Sequence, residues 1–189
     1  MRAVVLSSRD EPPHVMDVQV DPPRSGEVRV RVEAAGVCHS DLHVRNLEWD
    51  IPLPLVMGHE GAGVVTEVGP DVATLSEGDH VILCWQPACR RCRRCLAGRP
   101  SQCELVAEVV GPRGVLYDGT SRFRVDGQTA YHYIGVSSFS EETIVPETGA
   151  YTSDTDFVDS TSLIDAPFVT TVPTAGTWTN TTSPSASCA

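Results

Sequence analysis

The chain has 189 residues, a formal net charge of -11 and 41% hydrophobic residues, which allows one ordinary domain with a core and an appendage but not two full domains. No apolar stretch approaches the length of a membrane span, and the opening Met1-Arg2-Ala3-Val4 lacks an apolar signal core, so a reducing, cytoplasmic compartment and no membrane partner are expected. All 14 basic residues are arginine, and from Val125 onward there are 8 acidic and no basic residues, which argues against a general nucleic-acid footprint.

In chain order, Met1 to Leu6, His14 to Val20 and Glu27 to Ala34 are short β-branched runs separated by Glu11-Pro12-Pro13 and by Asp21-Pro22-Pro23-Arg24-Ser25-Gly26, punctuation that marks turns between strands. Val28, Val30 and Val32 alternate with Arg29, Arg31 and Glu33, the period-two pattern of a half-buried strand. The run from Ala34 to His43 predicts a strand ending in a loop, with Ser40 or Asp41 capping a short helix toward Asn46. Next, Gly58-His59-Glu60 precedes a glycine-spaced strand, and Val64 to Val68 and His80 to Leu83 read as further strands. A last strand is expected from Ser137 to Val145. From Tyr151 the texture changes to 39 residues with ten Thr, six Ser, one Gly and no basic residue, which predicts a weakly structured tail.

Between these strands lies Cys89-x2-Cys92-x2-Cys95-x7-Cys103. A short loop with cysteines every third residue wraps one ion, and zinc in a closed site takes four thiolate or imidazole ligands in a tetrahedron. Arg90, Arg91, Arg93, Arg94 and Arg99 in the same loop would offset the negative charge of four thiolates on one dication. Two disulfides are the alternative and suit a reducing compartment poorly. Such a closed site supplies folding energy and shape, so chemistry is expected elsewhere. Cys38 and His59, with Glu60 beside it, are the donors that an open, catalytic zinc site needs, although a lone cysteine or histidine is more often a satisfied structural side chain.

Gly58-His59-Glu60-x2-Gly63-x5-Gly69-x2-Val72, preceded by Gly36-Val37-Cys38-His39-Ser40-Asp41 and followed by the four-cysteine loop, resembles the zinc-containing medium-chain alcohol dehydrogenase family through about residue 150. Gly114 to Phe123 is also similar to the branch holding class III, thiol-dependent formaldehyde dehydrogenases and aryl-alcohol dehydrogenases. The resemblance implies a mainly β fold with short helices, a GroES-like partly open β-barrel over residues 1–150, with a zinc lobe at 86–104 and an atypical tail at 151–189. It implies Cys38, His59 and Glu60 at a catalytic zinc, Asp41 orienting His59, Ser40 bonding the substrate alcohol and His43 relaying its proton. It further implies His39 near the cofactor pyrophosphate, Trp49 and Trp85 at the substrate pocket, structural zinc on Cys89, Cys92, Cys95 and Cys103, NAD(P) as cofactor, a small alcohol or aldehyde as substrate, and homo-oligomers in full-length members. The tryptophans have core as their plain reading, and Ser40, Asp41 and His43 that of helix caps and a solvated residue.

Two departures stand out. The Gly-x-Gly-x2-Gly turn of the family's doubly wound cofactor domain is absent from these residues. The third catalytic ligand, a cysteine expected near Ala166, is also absent, and the setting of Cys188 does not resemble it. The reading is therefore an alcohol dehydrogenase N-terminal domain, truncated or frame-shifted near Gly149 and inactive by itself. The alternatives are a zinc-stabilised binding module and a non-catalytic family remnant.

Overall fold

The computed structural model describes residues 1–46 and 48–152, and the backbone of one further strand, Val169–Thr171. Its elements are β1 (Arg2–Leu6), β2 (His14–Asp17), β3 (Gln19–Val20), β4 (Glu27–Gly36), α1 (His39–Arg45), β5 (Leu55–Val56), β6 (Glu60–Val68) and β7 (His80–Leu83). There follow α2 (Arg93–Leu96), α3 (Gly111–Arg113), β8 (Phe123–Val125), β9 (Gln128–His132), β10 (Glu142–Pro146), β11 (Ala150–Thr152) and β12 (Val169–Thr171).

Two six-stranded sheets form the body. One runs β2-β1-β5-β9-β8-β3; the other runs β10-β4-β6-β7-β11, with β12 also on β4. All pairs are antiparallel except β5 with β9. The sheets curl into the partly open barrel of the GroES-like fold, and among the described residues there is no doubly wound parallel sheet.

Burial follows the valine alternation. Val28, Val30 and Val32 on β4 are buried, whereas Arg31 and Glu33 are exposed. Val28 and Val30 pack with Val65, Leu75, Val81, Leu83, Val136, Val145 and Ala150 in one cluster. Val5, Val18, Val56, Phe123 and Val125 belong to a second, under the other sheet. A third, of Leu6, Val44, Leu55, Met57 and Tyr133, fastens α1 to the barrel. Glycines let β4 and β6 approach: a Cβ on Gly63 would lie 2.1 Å from the Arg31 carbonyl oxygen.

Several boundaries differ from those the sequence suggests. The β10 strand starts at Glu142, because Ser137 adopts a positive φ of 58° and its hydroxyl accepts from the Tyr133 N–H at 2.9 Å, making a turn where extended chain was expected. The β8–β9 hairpin was not anticipated. Tyr151 and Thr152, the first residues of the atypical tail, pair with β7, and the backbone of Val169–Thr171 pairs with the end of β4. The rest of that tail, with Ala166 and Cys188, lies outside the described residues. Among the described residues no helix is long and apolar enough to cross a membrane.

Candidate metal centres and the groove beside them

The loop between β7 and α3 gathers the sulfurs of Cys89, Cys92, Cys95 and Cys103 to within 4.8 Å of one another. Around zinc the tetrahedral sulfur–sulfur separation is about 3.8 Å, so the thiolates need only a small contraction to close on an ion. The backbone is already arranged for anions: the Cys89 N–H donates to Cys103 Sγ and the Cys92 N–H to Cys89 Sγ, each at 3.3 Å. The Cys95 and Glu104 N–H groups draw the Cys92 thiol down to about 6. Desolvation and the adjacent Cys92 push Cys95 up to about 12. One thiolate is thus welcome in the loop, and a full set requires a dication among them. Cys103 is fully buried with Ala88 and Val106 in a small cluster of the lobe's own. Of the five loop arginines, Arg93 and Arg94 reach Glu104 at 3.1 and 3.9 Å.

The second group forms where β4 hands over to α1 and β6 begins. Cys38 is the N-cap of α1: its Sγ accepts from the Ser40 N–H at 3.4 Å, and Asp41 returns the favour by accepting from the Cys38 N–H at 3.0 Å. The capping residue is therefore Cys38, with Asp41 as its reciprocal partner, where Ser40 or Asp41 was expected to cap. Burial of Val44 in the third cluster fixes the helix, and with it the direction of the sulfur. Asp41, itself buried, uses its other oxygen on His59 Nδ1 at 3.2 Å. This places the imidazole proton on Nδ1 and leaves Nε2 as a ligand atom, 3.8 Å from Glu60 Oε1. The ligand atoms of Cys38, His59 and Glu60 all lie within 4.8 Å of one another. Glu60 stands across from Gly36 in the β4–β6 register, and a Cβ on Gly36 would come within 2.2 Å of Glu60 Oε2. The bare backbone of Gly36 is the space the carboxylate occupies.

Charge favours a cation here. Partial burial works against a thiolate at Cys38, yet the Ser40 hydroxyl and N–H, with His59, bring its pKa below the ordinary value. Burial works against a charged His59, yet Asp41 and then Cys38 raise its pKa. A metal ion bound by this pair would release the protons they carry. A soft thiolate, an imidazole held by a carboxylate and a nearby carboxylate suit zinc with an open position.

The remaining residues singled out from the sequence fall nearby. Ser40 Oγ lies 3.4 Å from Cys38 Sγ. His43 Nδ1 is 2.5 Å from Glu48 Oε2, its ring stacks on Trp49 at 5.6 Å, and His39 lies 5.0 Å from it. Trp49 is 6.4 Å from Tyr133, which meets His59 edge-on at 5.0 Å and donates from its hydroxyl to the Ser40 carbonyl at 3.2 Å. Trp49 also lines a groove of about 360 Å³; Trp85, half exposed, does not. Glu48 and Tyr133 were missed by sequence reasoning, since neither belongs to a spaced motif.

Residues 24–155 match the alcohol dehydrogenase GroES-like domain family. The chain is 42% identical over 148 residues to the S-(hydroxymethyl)glutathione dehydrogenase of Paracoccus denitrificans, covering 77% of this chain and 39% of that protein. It is 45% identical over 149 residues to the enzyme of the same name from Photobacterium damsela subsp. piscicida, covering 77% and 40%. Among solved structures it resembles an alcohol dehydrogenase zinc-binding domain protein from Burkholderia ambifaria, with a TM-score of 0.75, 37% identity, and coverage of 82% of this chain and 42% of that one. It also resembles benzyl alcohol dehydrogenase from Acinetobacter calcoaceticus, with a TM-score of 0.74, 29% identity, and coverage of 83% and 42%. The chain spans about two fifths of the length of the curated relatives it matches.

Proposed function

The chain belongs to the alcohol dehydrogenase family, of which it carries the GroES-like domain, and on that premise we propose that it is the alcohol-binding, zinc-holding part of an alcohol/aldehyde oxidoreductase. The observation that carries the proposal is the convergence of Cys38, His59 and Glu60 around one point, with Asp41 fixing the histidine's tautomer. A zinc ion held by these three would acidify the hydroxyl of a bound alcohol, so that hydride can leave its carbon for a nicotinamide cofactor. Ser40, whose N–H donates to the Cys38 sulfur, accepts the alcohol's proton into a hydrogen bond at its hydroxyl, and His43 carries it outward. Glu48 holds the His43 ring through Nδ1, while Trp49 stacks on the same ring. His39, exposed at the start of α1, would meet a cofactor phosphate from outside the domain.

These residues carry no Gly-x-Gly-x2-Gly turn with which to hold the dinucleotide. The 189-residue chain is therefore expected to hold zinc and bind alcohol without turning it over. Titration with NADH should give no saturable fluorescence enhancement, and a saturable one would refute that.

Cobalt(II) substitution tests the metal reading. Wild type should show thiolate–cobalt absorption for two distinct sites, and Cys38→Ser should remove one set while sparing the four-thiolate set. A single set that Cys38→Ser leaves unchanged would overturn the proposal.

A further inference from the structure

Cys38 and His59 can share an ion only if the segments that carry them stand at a fixed separation. Cys38 caps α1, so its sulfur goes where the first turn of that helix goes. His59 lies between β5 and β6, three residues after Val56. Asp41 ties the two segments through His59 Nδ1 at 3.2 Å. One bond to the edge of a ring leaves α1 free to shift about it.

Tyr133 supplies a second tie, from a rigid base. The backbone around it is stitched to the His59 segment: the Tyr133 N–H donates to Ser137 Oγ and the Ser137 hydroxyl to the Val56 carbonyl, each at 2.9 Å. The Phe139 N–H donates to the Met57 carbonyl at 3.0 Å and the Ser138 N–H to the Gly58 carbonyl at 3.1 Å. From this base the side chain reaches across to α1, where its hydroxyl donates to the Ser40 carbonyl at 3.2 Å. On the way its ring meets the His59 imidazole edge-on, with centroids 5.0 Å apart and planes at 67°. The ring has little room to turn, because Tyr133 is fully buried and packs with Leu6, Val44, Leu55 and Met57.

We infer, resting on the reading of Cys38, His59 and Glu60 as a metal site, that Tyr133 is a positioning residue for the ion: its hydroxyl, anchored from the His59 side, fixes where the first turn of α1 and therefore Cys38 stands. It supplies no ligand atom and acts through the Ser40 backbone. Without that bond the two ligands remain, but the first turn of α1 has to be drawn into place by the ion, at a cost in affinity.

Tyr133→Phe tests this, since it keeps the ring and its packing and removes only the bond to Ser40. Cobalt(II) titration of the 189-residue chain reads both metal groups in one molecule, with the four-thiolate set as internal reference. In Tyr133→Phe the Cys38-dependent bands should shift and form with about tenfold weaker affinity, while the four-thiolate set keeps its own. Leu6→Val, which trims the same apolar cluster, should leave both sets at wild-type affinity. Wild-type affinity of the Cys38-dependent set in Tyr133→Phe, an equal loss at both sets, or the same loss in Leu6→Val would each overturn the inference. The wild-type spectrum separates the two failures. If Cys38→Ser removes no bands from it, the site reading fails and the inference with it; if those bands are present and Tyr133→Phe leaves them unmoved, the inference alone fails.

Discussion

At the scale of single residues, two positions hold conformations or charges that a substitution would expose. Gly58, directly before His59, has φ of +89°, and a Cβ there would lie 2.5 Å from the Phe139 amide nitrogen and 2.6 Å from its ring. The obstacle is partly backbone, so no rotamer change relieves it. Gly58→Ala is expected to destabilise by about 2 kcal/mol or more, read from urea melts, and to weaken metal binding at Cys38 and His59 relative to the four-thiolate loop. His132 is fully buried: its Nε2 accepts from the Arg122 N–H at 3.2 Å and its Nδ1 has no partner. Burial first, and the Arg122 charge second, lower its pKa from 6.5 to about 3. Between those two values the unfolded chain takes up a proton that the folded chain refuses, so this residue's contribution to stability rises with pH across the window and is level above it. The slope is at most about 1.4 kcal/mol per pH unit. Wild type should therefore lose more stability than His132→Gln when the pH is lowered from about 6.5 toward 3. Parallel urea-midpoint curves would show that His132 plays no such part.

At the scale of elements, the β8–β9 hairpin is tied to the second sheet by charge. Arg122, with a fully buried side chain, donates from Nε to Glu27 Oε2 at 2.8 Å and from a terminal nitrogen to Asp118 at 2.8 Å, while Glu27 Oε2 also accepts from the Arg24 N–H at 2.9 Å. Deleting the guanidinium strands the Glu27 carboxylate at the root of β4. Arg122→Met should destabilise by about 3–5 kcal/mol, and Arg122→Met with Glu27→Leu should recover much of the loss, read from urea melts, because a buried ion pair is costly to break and cheap to replace whole. A double variant no better than the single one would place the effect in packing. This hairpin was not read from the sequence, although Asp126-Gly127, with φ of 50° and 77°, is a hairpin turn signal in plain view. Its strands are only three and five residues long, too short for a period to register. The β4 alternation and the cysteine spacing were legible because both are local patterns. Asp41 on His59 and Tyr133 beside them join residues 18 and 74 apart in the chain, and no window along the sequence holds both partners. Cys38 as a helix cap was hidden for a different reason: oxygen side chains are the usual caps, and a sulfur takes that place here because the same atom is set to face a metal.

At the scale of the molecule, the described residues divide into a barrel with its own core and a lobe that depends on metal. Three apolar clusters belong to the barrel, whereas the lobe's cluster has only Ala88, Cys103 and Val106 fully buried, with three more cysteines and Leu105 around it. Three small buried side chains cannot order some twenty residues of loop against their conformational entropy, so the ion's binding energy, on the order of 10 kcal/mol for a structural zinc, has to supply the difference. The lobe's ties to the barrel are few: the Tyr117 hydroxyl donates to the Pro87 carbonyl at 2.5 Å and bonds Thr148 at 2.6 Å, and the Cys84 N–H donates to the Gly149 carbonyl at 2.8 Å. Loss of the ion should therefore melt the lobe and leave the barrel standing. The chain offers a direct readout, since it has no lysine and five of its 14 arginines lie between Arg90 and Arg99. Trypsin should spare that stretch in the zinc-loaded protein and cut it first after chelation, while the far-ultraviolet β signal persists and Arg122, sealed in the barrel, stays uncut. Complete loss of the β signal on chelation would mean that the barrel has no stability apart from the lobe, and an unchanged digestion pattern would mean that the four thiolates do not hold the metal that orders it.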